Sequence, residues 1–315
     1  MRLTSMPDAC CHLLTGIPVR LNIGPRVRSV HMLGIPLRYL LRHPINTLSA
    51  LARDPRQAWT TMQDAYVYAR ERRGPQCSYT ADPGWEQHLH LALGCAWPCP
   101  QAAEFRALWP AVIAELEAKG IHAGPESFQV WNDGDAALVR AIWCLTRHLQ
   151  PQKVVETGVG HGVTSRFILE ALERNASGHL YSIDLPPIDR FWRSQVGAAV
   201  GDPQTNPYAA RWTLIRGSSR SRLPQLLASL GEINLFIHDS LHSARNVRFE
   251  LDLAWPALNP HGALVVDDVD ANWGFDIFTH ALPAPQSIIA EAEPLHPDLR
   301  RFNQKGLFGI VLKQP

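Results

Sequence analysis

From Lys153 to the C-terminus, short apolar runs alternate with stretches of helical spacing, and this alternation constrains the fold more than any other feature of the chain. The runs are KVVET, HLYSIDL, WTLIRG, INLFIHD, ALVVDDV, SIIAEA and LFGIVLK. Helical patterns lie between the first five: over Val163–Arg174, within 188–200, over 222–230 and over 243–258. Strand–helix alternation predicts a mostly parallel sheet with helices on both faces. Between SIIAEA and LFGIVLK there is only EPLHPDLRRFNQKG, with no strong amphipathic helix, so an antiparallel hairpin is expected at the end of the sheet.

Upstream, residues 34–73 show apolar positions at helical spacing, broken at Pro44 and Pro55, and predict one or two short helices. Residues 74–100, rich in Pro, Gly and Cys, read as a connector. AEFRALWPAVIAELEAKG predicts a helix stopped by Gly120. In WNDGDAALVRAIWCLTRHL, Asp133 is the expected N-cap, and Leu138, Ile142, Leu145 and Leu149 mark the buried stripe.

The 315 residues, 46% hydrophobic and 19% charged, suffice for one large or two smaller domains with a sizeable core. A net charge of +1 gives no global pull toward nucleic acid, which is not an expected partner. The charge is uneven: residues 1–74 carry eleven Arg, no Lys and four acids, or +7, leaving −6 for the rest. A solvated helical extension is the plain reading of this basic arm; contact with an acidic surface, a lipid headgroup or a polyanionic substrate is the alternative. No apolar window of about 18 residues suggests a transmembrane helix. No secretory signal is evident, so a cytoplasmic protein with its six Cys reduced is expected. In HLHLALGCAWPC, His88, His90, Cys95 and Cys99 are all zinc-ligand types. Their spacing matches no ligand pattern, and buried thiols with surface imidazoles are the plainer reading.

The stretch KVVETGVGHGVTS joins the first strand to the next helix and carries Gly158, Gly160 and Gly162. It lacks the Lys and hydroxyl of a Walker loop, and a dinucleotide fingerprint starting at Gly158 would need glycine at 163, which is Val. The spacing is E-x-G-x-G-x-G, with Glu156 at the strand end. A carboxylate there opposes a pyrophosphate and suits a ligand bearing an amine. The loop therefore favours a zwitterionic or cationic nucleoside.

These residues resemble motif I of class I S-adenosylmethionine-dependent methyltransferases. YSIDLPP places Asp184 where that family grips the ribose hydroxyls, and a carboxylate offers two acceptors for them. The IRGSS turn resembles the adenine-contacting motif, with Ser218 as the contact. NLFIHDSLHSARNVRFELDLAWPALNPHGALVVDDV resembles motifs IV to VI, with Pro260-His261-Gly262 in place of the usual Pro-Gly-Gly. The resemblance spans about residues 128–315 and is greatest for the O-methyltransferase-like branch that includes sugar and macrolide enzymes. It implies an α/β, Rossmann-like, doubly wound seven-stranded sheet with an antiparallel last strand, and a helical N-terminal region over 1–127. It also implies contacts to S-adenosylmethionine from Glu156, Gly158, Gly160, Gly162, Thr164, Asp184, Ser218 and Asp239. Plainer roles stay open: a tight turn for the glycines, a helix cap for Glu156, and a turn acid before two prolines for Asp184.

Methyl transfer to a hydroxyl needs alignment and a way to remove the proton. The candidates follow strands four and five: His238, Asp239 and His242, then Asp267, Asp268, Asp270 and Asn272. In one mechanism His242 is the general base, working with Asp239. In the other, Asp239, Asp267 and Asp268 hold Mg²⁺ or a similar hard ion. Catechol O-methyltransferase and its relatives use an Asp followed later by an Asp-Asn pair, where this chain has Asp267-Asp268. Leu241 and Ala244 replace an Asp and a Tyr common in related loops. Strand-end acids also cap helices, and Asp239 lies where it would cap the one starting near Ser243. Trp131, Asn132 and Asp133 are placed to cover the methionine end of the cofactor, and Trp273 and Phe275 to line the acceptor pocket.

The expected function is S-adenosylmethionine-dependent O-methylation of a hydroxylated small molecule or sugar, the N-terminal helices serving as lid, acceptor surface or homodimer contact. The rivals are an N-methyltransferase or one acting on a glycan or lipid-linked acceptor, a cofactor-binding protein without chemistry, and a nicotinamide oxidoreductase.

Overall fold

The computed structural model describes residues 77–122, 134–293 apart from 186, 188, 189, 203 and 284, residue 295 and residues 306–314. It also describes positions 31, 32, 35, 36, 52, 55, 59, 63 and 66. The latter five are helical, as expected for this stretch. His31–Met32 instead pairs antiparallel with Ile35–Pro36, so the start of the expected 34–73 helical region is strand. Asp133, Trp131 and Asn132 lie outside the described residues.

All seven apolar runs form one sheet. In chain order its strands are β1 (Lys153–Thr157), β2 (His179–Asp184), β3 (Trp212–Arg216), β4 (Ile233–His238), β5 (Leu258–Val266), β6 (Gln286–Glu291) and β7 (Leu307–Leu312). The spatial order is β3-β2-β1-β4-β5-β7-β6. The first five strands are parallel, and β7 runs antiparallel to both β5 and β6. The central strands are apolar on both faces because helices cover both. Val154, Leu235, Ile237, Ala263 and Val265 are buried in one core layer, and Val155, Phe236, Leu264 and Val266 in the other.

The helices are α1 (Trp85–Ala92), α2 (Ala102–Ala118), α3 (Ala136–Leu149), α4 (Val163–Arg174), α5 (Arg190–Gln195), α6 (Ser219–Leu230), α7 (Ala244–Ala257) and α8 (Gly274–His280). Helix α1 corrects the expectation of a plain connector: Trp85 and Leu89, one turn apart, are drawn into the core. The cap of α3 is Asp135, not Asp133. Its Oδ1 accepts the N–H groups of Ala137 at 2.9 Å and Leu138 at 3.2 Å, and also that of Glu293 at 2.8 Å. Ser243 caps α7 by accepting from the Asn246 N–H at 3.2 Å, so Asp239 is not needed for that role.

Helices α1 and α2 share the core of the sheet. Trp85, Leu89, Phe105, Val112 and Leu116 join Trp143, Phe167 and Phe308 in one buried cluster. Each such apolar side chain contributes about 1.5–3 kcal/mol when fully buried. Arg140 of α3 ties the layer together, donating to Glu86 at 2.8 Å and through both terminal nitrogens to Glu293 at 3.0 and 2.9 Å. Among the described residues no helix is long and apolar enough to cross a membrane. Among the described residues Cys77, Cys95, Cys99 and Cys144 are free thiols, while Cys10 and Cys11 lie outside the described residues.

Candidate active site

The parallel register brings the carboxyl ends of β1, β2, β4 and β5 to one edge. Glu156 lies beside Ser182 and Ile237, and Thr157 beside Ile183 and His238. At this edge of an open α/β sheet the strand order reverses, and ligands bind there.

The glycine turn leaves β1 and enters α4. Gly158, Gly160 and Gly162 have φ of +86°, +52° and +82°, a region that L side chains rarely occupy. Gly158 also packs against the next strand tip, where an added Cβ would lie 1.8 Å from the Asp239 carbonyl oxygen. The Asp239 N–H donates to the Thr157 carbonyl at 2.8 Å, so the loop and the tip of β4 interlock. Residues 195–200 back the loop: Gly197 N–H donates to the Gly160 carbonyl and Ala199 N–H to that of His161. Thr164 is buried on the first turn of α4.

Two carboxylates flank this turn. Asp184 accepts the Val159 N–H at 3.0 Å through Oδ2. Glu156 is wholly buried, and its Oε2 accepts the hydroxyls of Ser165 at 2.6 Å and Ser182 at 2.7 Å. Its Oε1 has no hydrogen-bond partner among the described residues. Burial pushes Glu156 up to about 7 against those two hydroxyls, and the Asp184 charge adds to the rise. No Lys or Arg lies in the turn itself, and the nearest, Arg166, is held by Glu170, Glu115 and the Ala199 carbonyl. Ser218 sits beside Asp184, because Gly217 N–H donates to the Asp184 carbonyl at 2.8 Å. Its hydroxyl donates to Ser221.

The second cluster stands on the tips of β4 and β5. His242 Nε2 is 3.7 Å from Asp239 and 3.9 Å from Asp267, and its Nδ1 is 3.3 Å from Asp268. The fold thus brings His242, Asp239, Asp267 and Asp268 together. Burial, then the carboxylates of Asp268, Asp239 and Asp135, push Asp267 well above the ordinary range. Asp268 has φ of +50°, uncommon for a residue with a side chain. Asp270 and Asn272 hold backbone instead: Asp270 accepts the Leu307 N–H, and Asn272 donates to the His242 carbonyl. Phe275 belongs to the core, edge-on to Tyr79 and against Gly309, so it does not line an acceptor pocket. Trp273 is partly exposed.

Sequence reading missed Glu250 of α7. Its buried carboxylate accepts from Thr157 Oγ1 at 2.5 Å, Ser240 Oγ at 2.7 Å and Asn246 Nδ2 at 2.8 Å, and lies 2.7 Å from His238 Nδ1. It joins the ends of β1 and β4 to the loop carrying Asp239 and His242. Asp135 was missed as well; burial pushes it up to about 6, and its charge reaches Asp267 from the start of α3.

A glycine turn after β1, an acid at the tip of β2 and a reversed β7 are the features expected of a class I methyltransferase fold. Residues 155–269 match the family model described as a methyltransferase domain. No curated protein matches the chain. Among solved structures it is similar to the O-methyltransferase TomG from Streptomyces achromogenes, involved in tomaymycin synthesis and solved with SAM: 13% identity, 65% of this chain, 89% of that chain, TM-score 0.46. It is similar to the O-methyltransferase from Bacillus cereus solved with SAH: 12% identity, 73% of this chain, 96% of that one, TM-score 0.46. A methyltransferase from Geobacter sulfurreducens aligns at 15% identity over 73% of this chain and 96% of that one, TM-score 0.42.

Proposed function

We propose that the chain transfers the methyl group of S-adenosylmethionine to a hydroxyl oxygen of a small molecule or sugar. One observation carries this: a glycine turn flanked by two carboxylates, Glu156 and Asp184, interlocks with a strand tip bearing His242 among three more, Asp239, Asp267 and Asp268. The first half repels phosphate and suits a cationic nucleoside. The carboxylate of Asp184 fits the ribose hydroxyls of such a ligand, and Glu156 is buried behind the turn, its Oε1 without a hydrogen-bond partner among the described residues.

Bound there, S-adenosylmethionine supplies a methyl already activated on a sulfonium. Asp184 and the glycine turn would hold it, with Ser218 and Thr164 as further residues available to contact it. His242, held among Asp239, Asp267 and Asp268, would accept the proton of the acceptor hydroxyl. The imidazolium so formed lies among carboxylates that compensate it, the logic of a base oriented by an acid. Asp239, Asp267 and Asp268 are also an oxygen donor set suited to a divalent cation, which would acidify the same hydroxyl.

The test is release of S-adenosylhomocysteine with a panel of hydroxylated and amine acceptors, with and without EDTA. Turnover on a hydroxyl is expected, and His242→Ala should lower it by roughly 10²–10⁴-fold. Turnover on amines alone would contradict the oxygen assignment. Loss in EDTA restored by Mg²⁺ would move proton activation from His242 to the ion.

A further inference from the structure

A second constellation lies away from the strand tips, on the face covered by α1 and α3. His90 of α1, Cys99 in the turn before α2, and Cys144 of α3 are all buried, and one ligand atom from each falls within 4.8 Å of the others. Cys99 Sγ is 3.7 Å from Cys144 Sγ and 3.6 Å from His148 Nε2. Two thiolates and an imidazole at ordinary zinc bond lengths in a tetrahedron would be separated by about 3.8 Å for sulfur–sulfur and about 3.6 Å for sulfur–nitrogen. His90 Nδ1 is 2.7 Å from the Glu86 carbonyl, which places the proton on that nitrogen and leaves Nε2 as a lone-pair donor. That Nε2 is buried with no hydrogen-bond partner among the described residues. Cys144 and His148 are four residues apart on α3, so they share a helix face.

We propose that His90, Cys99, Cys144 and His148 form a structural Cys₂His₂ zinc site. Two thiolates and two neutral imidazoles exactly neutralise the dication in charge, so the filled site can be buried without a stranded ion. Binding sends the two thiol protons to solvent. Sulfur donors disfavour Mg²⁺ and Ca²⁺, and four protein ligands leave no open position for catalysis. Cys144 lies about 14 Å along α3 from Asp135, the end that faces the strand tips. The ion therefore acts as a staple, fixing α1 and the start of α2 to the methyltransferase core. His88 and Cys95 are not ligands: His88 pairs with Asp82 on the surface, and Cys95 does not fall within the group formed by His90, Cys99 and Cys144.

The test is metal analysis of the full-length chain purified without chelator, then reloaded with zinc or cobalt. One zinc per chain is expected, with the intense visible bands of tetrahedral cobalt after exchange. Cys144→Ser should lose the metal, while Cys95→Ser should keep it. Should Cys144→Ser fail to fold, the wild-type chain still decides the question. Metal-free wild-type protein that takes up no zinc on dialysis, or a Cys99–Cys144 disulfide in protein prepared under reducing conditions, would overturn the assignment. Because the readout is metal content, failure here is distinct from failure to transfer methyl groups.

Discussion

Glu250→Gln removes one charge from the interior with little change of shape. In the native protein burial pushes this carboxyl up, but His238 and the hydroxyl donors around it outweigh burial and bring it from 4.5 down to about 2. That gap corresponds to about 3 kcal/mol of native stabilisation at neutral pH. Because the folded value lies below the unfolded one, the stabilisation is complete above pH 4.5 and fades as pH falls toward 2. Glutamine also turns an NH₂ toward Thr157, Ser240 or Asn246, all of which donate to Glu250 in the native protein. Urea unfolding at pH 7, 5 and 3 measures both effects. At pH 7 the variant should be less stable by about 3 kcal/mol. The difference should shrink as the pH drops from 5 to 3. Equal stability at pH 7, or a difference independent of pH, would refute the reasoning that this carboxylate clamps the strand tips.

Three further outcomes are expected. Gly158→Ala must place a Cβ against the Asp239 carbonyl at positive φ, so S-adenosylmethionine affinity by calorimetry should fall at least tenfold while far-ultraviolet circular dichroism stays native; unchanged affinity would separate the loop from the site. Asp184→Ala should weaken the same affinity by one or two charge-assisted hydrogen bonds, about 1.5–3 kcal/mol each. Glu156, with a folded value raised to about 7, costs stability as pH rises from 4.5 to 7. Glu156→Gln should flatten that decline in thermal melts, and an unaltered pH profile would show that Glu156 does not cause it.

The sheet was legible because buried parallel strands are apolar on both faces, and every such run here is a strand. Helix α4 was legible to the residue, since Gly162 marks its start and its apolar spacing runs unbroken to Arg174. Where long-range contacts decide, local pattern failed. The stretch NDGD offers two acids as a cap, and Asp135 takes the role while also holding Glu293, 158 residues away. Helix α1 was hidden by its Pro, Gly and Cys flanks, and its burial comes from Trp85 against Phe308 at the far end of the chain. Glu250 reads as one of the exposed acids of an amphipathic helix until packing sets it against Thr157, 93 residues earlier. Cys144 and His148 likewise read as helix-face residues, and only the fold brings Cys99 and His90 to them. At the strand tips the reverse holds: Asp239, His242, Asp267 and Asp268 were legible because strand ends of a parallel sheet must meet at one edge.

The most direct test of the central claim, that the glycine turn and its two carboxylates receive a cationic nucleoside, is calorimetric titration of the purified chain with S-adenosylmethionine, NAD and ATP in turn. Saturable binding of S-adenosylmethionine at one site per chain, with no heat from the two phosphate-bearing ligands, is the expected result. Binding of NAD or ATP without S-adenosylmethionine would contradict it.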